Sequence, residues 1–370
     1  MNRCLPMDVA KTFKPKTIFL WQKVAEHPEA RRILGLFPSA QVRVIERQRR
    51  PFLPDMSPSR ALLAGKRTLM IGRTSSFVGC FDGQLGSNVR CCPYYKLVPL
   101  SNGCPYYCTY CYLAFVYRKY APFIKININY NTMFKQIRKA VTGSGGKVSF
   151  NMGEMLDSLA LDHITNLTTM LVPFFSGISR GFLMLLTKSS NINNLLAVEP
   201  NGQIVVSWSL NSQQMIAEYE LGTASLGERI EAARLCQDHG YRIRIRIDPG
   251  ILCPNWQAGY ADLIQRTLTA VKPENVTLGM LRLLPGHFHL AAAAYGNRAR
   301  KLSNHNFVRG ASDGKLRYPA KERVEFYTFL IDVIRSFDKE VSISLCRETP
   351  EVWSIFKDSC RPRKCNCVIW

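Results

Sequence analysis

From about residue 95 the chain alternates between two hydrophobic periods. The short apolar runs "YKLVPLS", "KVSFNMG", "FLMLLTK", "IVVSWSL", "YRIRIRI" and "NVTLGMLRL" have the length and β-branched content of buried strands. Between them, "NTMFKQIRKAV", "LDHITNLTTMLVPFF", "NINNLLAV", "LGERIEAARLCQDHG" and "YADLIQRTLTAV" carry apolar residues at helical spacing, with Gly240 as a stop after the fourth. This alternation predicts a parallel sheet with crossover helices. Six units are too few to close an eight-stranded barrel, so the expected fold is α/β, an incomplete (β/α)6 barrel. A small N-terminal α/β segment with the strand "TLMIG" precedes it and a C-terminal extension follows it.

The expected organisation is an N-terminal segment over 1–90, the partial barrel over 91–285, a basic region with the helix "AKERVEFYTFLIDVIRSF" and the strand "VSISL" over 286–346, and a cysteine-rich tail over 347–370. "RRPFLPDMSPSR" reads as a flexible connection within the first segment. Parallel barrels carry their chemistry at the C-terminal ends of the strands. That rule selects residues 101–111, 152–157, 187–189, 209–211 and 248–250, where polar side chains concentrate. One strand is unusual. "YRIRIRI" places Arg242, Arg244 and Arg246 on one face and isoleucines on the other, so these arginines are expected to line a wet cavity or an anion site.

With 370 residues, 46% of them hydrophobic, the chain can bury a full core. The N-terminal stretch has only "IFLW" as an apolar run, and no stretch approaches the length of a membrane span; a cytoplasmic protein without a membrane partner is expected. In that setting thirteen cysteines point to metal binding or redox chemistry rather than disulfides. A formal charge of +22 suits a polyanion such as DNA, or another anionic substrate, and equally suits solubility alone. "YGNRARKLSNHNFVRG" interleaves basic and aromatic residues, as a nucleic-acid surface or a solvated loop would.

Cys104, Cys108 and Cys111 lie in "GCPYYCTYCYL", after the first strand. Three thiolates are too few for a closed zinc site. On a [4Fe–4S] cluster they leave one iron open to a further ligand. The spacing, with Tyr110 before the third cysteine, resembles that of radical S-adenosylmethionine (SAM) enzymes. Within them, "SNGCPYYCTYCYLAFVYRKYAPFIKININ" is similar to the spore photoproduct lyase family, and "LTKSSNINNLL", "VVSWSLN" and "ELGTASLGERIEAARLCQDHGYRI" follow in the same order, so that the resemblance covers about residues 17–346. It implies a [4Fe–4S] cluster on Cys104, Cys108 and Cys111, and SAM held by Lys188 and Ser209 with Asn211 nearby; Arg246, from the arginine strand, is a further candidate for cofactor binding, at the strand ends where a substrate would enter. The resemblance further implies a radical relay at Tyr110 and Tyr112, a DNA lesion as substrate, and a flavodoxin- or ferredoxin-type reductant.

The chain departs from that family in two places. Where the lyase carries a hydrogen-donating cysteine, "FNMGEMLDSLALDH" reads Glu154, and Gly153–Glu154 resembles instead the element that holds the SAM ammonium group in many radical SAM enzymes. Asp157 is a second acid for that role, or a helix cap. The second departure is the tail, which adds Cys360, Cys365 and Cys367 in "CRPRKCNC". Three readings stand side by side: a second Fe–S cluster taking Cys92 with the tail, a thiolate site for a thiophilic acceptor such as arsenite, and an adventitious or regulatory thiol tail. His287 and His289 read as loop residues, and Cys236 and Cys253 as structural. The expected function is therefore a radical SAM enzyme that cleaves SAM to a 5′-deoxyadenosyl radical and acts on an unidentified substrate. The alternatives are a DNA lesion lyase proper, an aminocarboxypropyl transferase to a thiophilic acceptor, and a non-enzymatic Fe–S nucleic-acid-binding protein.

Overall fold

The computed structural model describes residues 13–48, 56–84, 89, 91–118, 122–311, 313–361 and 364–370. Residues 1–12, and 49–55 of the expected flexible connection, lie outside the described residues, as do two positions of the basic run "RPRKC".

Each expected apolar run forms a strand, and one more joins them. Tyr94–Leu97, Val148–Asn151, Gly181–Thr187, Ile204–Ser209, Arg242–Gly250, Asn275–Met280 and Ser342–Leu345 pair in parallel in that order. They are called here the first to seventh strands. Val78–Phe81 closes one edge of the sheet, antiparallel to the first strand. Among the described residues its two edges do not pair with each other, which makes an open, incomplete barrel. The parallel strands number seven rather than the expected six, because "VSISL" docks beside the sixth strand.

Two expected boundaries do not coincide with the sheets. A second, five-stranded sheet takes Thr17–Trp21, Gln41–Ile45 and Thr68–Gly72 from the N-terminal segment. It also takes Ile124–Asn127 and Leu100–Ser101 from beyond residue 90. The run "YKLVPLS" is thus shared: its first half lies in the large sheet, its end in the small one. Likewise the boundary at 285 fails, since the seventh strand belongs to the barrel.

The crossover helices follow their sequence signals. Leu226–Asp238 opens with a capping box between Ser225 and Glu228, which satisfies amide donors that the first turn leaves free, and Gly240 ends it with φ of 99°. "LDHITNLTTMLVPFF" is two helices, Asp162–Thr165 and Leu167–Ser176, divided at Asn166, whose φ is 50°. The basic region after 285 also contains the helices His287–Tyr295 and Asn297–Leu302. Among the described residues no helix is long and apolar enough to cross a membrane.

The two faces of the large sheet differ. On the fifth strand Ile243, Ile245 and Ile247 pack into the main core under the helices. Arg244 and Arg246 face the other way, and there the C-terminal tail, not water, meets them. Arg244 is fully buried: its Nη1 donates to the carbonyls of Cys365 (3.1 Å) and Val368 (2.7 Å), Nε pairs with Glu274 (3.0 Å), and its guanidinium lies 3.8 Å from the Trp370 ring centroid. Further along, Asn366 donates to Ile245 O (2.9 Å), the Ile369 amide donates to Ser149 Oγ (2.8 Å), and the Ile369 side chain packs on Phe182, Met184 and Val205. The tail crosses the inner face from the fifth strand to the second, where the polar Arg244, Thr277 and Ser149 match its backbone groups. The expectation of a wet arginine-lined cavity is corrected accordingly: Arg244 is consumed by the tail, and Arg242 by Glu274 and Gly202 O.

Candidate active site

A cavity of about 230 Å³ opens at the C-terminal ends of the strands. One wall is the cysteine loop. Tyr107–Cys108 is a two-residue strand paired antiparallel with Glu220–Leu221, which anchors the loop's middle. Cys111 caps the helix Tyr112–Tyr117, its sulfur accepting from the Ala114 amide at 3.5 Å. Cys104, Cys108 and Cys111 all line this cavity, and among the described residues no fourth cysteine does. Among those residues, no three Cys, His, Asp or Glu side chains are gathered as they would be around a single metal ion.

Beside the cysteine loop, where Glu220 pairs with Cys108, lies a buried ionic network. Lys188 Nζ donates to Ser209 Oγ (2.7 Å) and to Glu220 (2.9 Å). Glu220 also pairs with Arg229 at 2.6 Å and accepts from the Tyr110 hydroxyl. Burial acts to raise the Glu220 carboxyl, but Arg229 and Lys188 outweigh it and bring it down to about 2. Tyr110 is therefore tied to this network beneath the loop, with the Lys188 ammonium 5.9 Å from its ring centroid. Tyr112 is partly exposed at the cavity wall. Asn211 does not line the cavity. It is fully buried, donating to Pro249 O (2.8 Å) and accepting from Tyr260 OH (2.8 Å), so it fixes the end of the fifth strand.

The second strand ends in Asn151, and Gly153 follows because nothing larger fits: a Cβ there would lie 2.2 Å from Leu186 Cβ. Glu154 is carried into the cavity wall. Both its oxygens are taken, one by Arg246 Nη1 (3.0 Å) and the other by Arg347 Nη2 (2.6 Å). Burial opposes ionisation, yet Arg347 and Arg246 hold the carboxyl down to about 2. Glu154 is thus already paired rather than presented free to an ammonium group. Arg246 in turn bridges to Asp248 (2.7 Å), which also holds Arg282 (2.9 Å). Arg246 is neutralised by two carboxylates, which is not the free anion site expected of it. Asp157 does not cap the following helix, Asp162–Thr165, whose N-cap is Leu161; it accepts from the amides of Leu159, Ala160 and Lys188 and from Thr187 Oγ1, and so ties a turn to the end of the third strand.

Sequence reasoning missed Glu220, Arg282, Lys315 and Arg347, and selected Asp248 only as a strand-end position. Arg347 adopts a left-handed backbone, φ 53°, a strained position for a residue with a Cβ. Nothing in the local sequence marks it. His287 is buried in its helix, with a ring nitrogen 3.0 Å from Thr109 O under the cysteine loop. Cys360, placed with the tail thiols, sits instead in the main hydrophobic core. Cys92, Cys365 and Cys367 do come together.

An open parallel barrel with three cysteines of this spacing after its first strand defines a radical SAM protein. The family model described as spore photoproduct lyase matches residues 13–309, and the chain belongs to that family. The spore photoproduct lyase of a Geobacillus species is 26% identical over 280 residues, covering 74% of this chain and 79% of the relative. That of Bacillus subtilis is 24% identical over 268 residues, covering 71% and 75%. Among solved structures, a spore photoproduct lyase complexed with dinucleoside spore photoproduct has a TM-score of 0.78 at 22% identity, covering 90% of this chain and 99% of that one. A variant of the lyase with bound AdoMet and dinucleoside spore photoproduct gives 0.76 at 22% identity, covering 90% and 98%. At these identities the solved structures establish the fold.

Proposed function

We propose that the protein is a radical SAM enzyme acting on nucleic acid, with a [4Fe–4S] cluster on Cys104, Cys108 and Cys111 and SAM in the adjoining cavity. The observation that carries this is the placement of three thiols, and no fourth among the described residues, in the lining of one cavity with Lys188 and Ser209. That donor set suits a cluster with one iron left open. Such a cluster, when reduced, supplies the electron that splits SAM into methionine and a 5′-deoxyadenosyl radical.

The chain's own residues bind and orient. Lys188 and Ser209 present a cation and a hydroxyl at the end of the third and fourth strands, suited to SAM's carboxylate and ribose. Glu220, itself fixed by Arg229, holds the Lys188 ammonium in place. Tyr112 lies at the mouth, where a substrate enters. Glu154, locked by Arg246 and Arg347, organises the wall and stands where the lyases carry a hydrogen-donating cysteine. A carboxylate does not return a hydrogen atom as a thiol does, so the substrate radical is quenched differently from that of the relatives. A nucleic-acid substrate is supported by the +22 charge and by Lys315 in the cavity lining, where Arg282 and Arg347 are already paired with Asp248 and Glu154.

Two measurements test this. After anaerobic reconstitution with iron and sulfide, the reduced protein gives an electron paramagnetic resonance signal that changes on adding SAM, and Cys108→Ala abolishes that change. A colourless protein contradicts the reading. For the substrate, affinity for a DNA oligonucleotide falls linearly on a log–log plot against salt; the absence of DNA binding at low salt removes the nucleic-acid assignment.

A further inference from the structure

On the other side of Arg347 lies a larger cavity, of about 820 Å³, that the proposed chemistry does not use. Five cysteines line it: Cys91, Cys92, Cys346, Cys365 and Cys367. They come from three stretches far apart in sequence, the entry to the first strand, the end of the seventh, and the tail. Cys92 Sγ and Cys365 Sγ are 3.1 Å apart, and all five cysteines are unpaired. Their surroundings differ from those of Cys236, which fills a gap in the apolar core. Here sulfur meets charge: Arg246 Nη2 donates to Cys346 Sγ at 3.1 Å and Nη1 to Cys367 Sγ at 3.8 Å, and Cys367 Sγ lies 3.6 Å from Glu154. Sulfur is the donor that soft metals and iron–sulfur clusters take.

The site is also built, because the tail that brings Cys365 and Cys367 is fixed through the buried Arg244 and through Asn366. Among the described residues no three of these thiols surround one point closely enough for a bare ion, and the same holds at Cys104, Cys108 and Cys111. The cavity, at about 820 Å³, has room for a cluster between these thiols. We propose that this cavity holds a second iron–sulfur cluster, ligated by Cys92, Cys346, Cys365 and Cys367, separated from the SAM cavity by the Glu154, Arg246 and Arg347 wall.

Counting iron in three reconstituted proteins tests the proposal and separates it from the first-site reading. With four irons per cluster, wild type binds about eight irons per chain, and about four remain both in a variant lacking Cys104, Cys108 and Cys111 and in Cys365→Ser/Cys367→Ser. In wild type, SAM perturbs one of two paramagnetic signals; in the variant lacking the tail thiols, the SAM-insensitive signal is the one missing. If wild type binds about four irons and the variant without the three loop cysteines binds none, the second cluster is refuted while the first stands. If that variant keeps all the iron of wild type, the first-site reading fails instead. A wild-type protein with a single signal, wholly SAM-sensitive, overturns the proposal without any variant. So does tight one-to-one binding of zinc or arsenite at the tail thiols with no iron retained there.

Discussion

Replacing Arg244 by methionine removes the charge that docks the tail while keeping a long apolar side chain. The guanidinium makes two hydrogen bonds to tail carbonyls, at 3.1 and 2.7 Å, and stacks on Trp370. Hydrogen bonds to charged groups contribute about 1.5–3 kcal/mol each, and the stacking adds about 1 kcal/mol. Against this, Arg244→Met spares the desolvation of a buried charge, so a net loss of about 3 kcal/mol in docking is expected. That corresponds to a roughly 100-fold rise in the population with the tail released. Maleimide labelling of iron-free protein, read by mass spectrometry, reports that population at Cys365 and Cys367, because both thiols are buried while the tail is docked. Their labelling rates should rise about 100-fold, while the core Cys236 stays unreactive and circular dichroism stays native. Arg242→Met, which removes the half-buried arginine sharing Glu274, should change the rates little. Labelling at Cys365 and Cys367 within about twofold of wild type in Arg244→Met would refute the docking role.

Glu220→Gln leaves Arg229 and Lys188 short of their common carboxylate, and a loss of about 3–5 kcal/mol is expected in urea unfolding. Because the Glu220 carboxyl falls from 4.5 to about 2, its contribution is full above pH 4.5 and is lost as pH falls toward 2, so the gap between wild type and variant should close over that window. Gly153→Ala places a Cβ 2.2 Å from Leu186 Cβ; the second and third strands must separate, costing about 1–3 kcal/mol in stability and weakening SAM binding measured by calorimetry. Burial lowers the His287 pKa from its ordinary 6.5, so the unfolded state takes up a proton first and stability declines as pH falls below about 6.5; His287→Gln should flatten that part of the stability profile.

The strands were legible because parallel strands are buried on the helix-covered face and read as apolar runs; "FLMLLTK" and "IVVSWSL" show this most plainly. What the runs do not show is which sheet a strand joins: "VSISL" and Ile124–Asn127 found partners through contacts far away in sequence. The three loop cysteines were legible because their ligand set is local, within residues 104–111. The second thiol set was only half legible. Cys365 and Cys367 flank one residue, but Cys346 reaches them only through the fold, whereas Cys360, nearer in sequence, turns into the core. The arginine alternation on the fifth strand signalled that something must satisfy buried guanidinium groups. The tail's carbonyls, 121 and 124 positions away, were beyond what spacing reveals.

The most direct test of the central claim is anaerobic incubation of the reconstituted protein with SAM and dithionite, followed by chromatography of the nucleosides. The account predicts 5′-deoxyadenosine from wild type, none from Cys108→Ala, and more when the true nucleic-acid substrate is present. A protein that carries its cluster and binds SAM, yet releases no 5′-deoxyadenosine or gives methylthioadenosine instead, would contradict it.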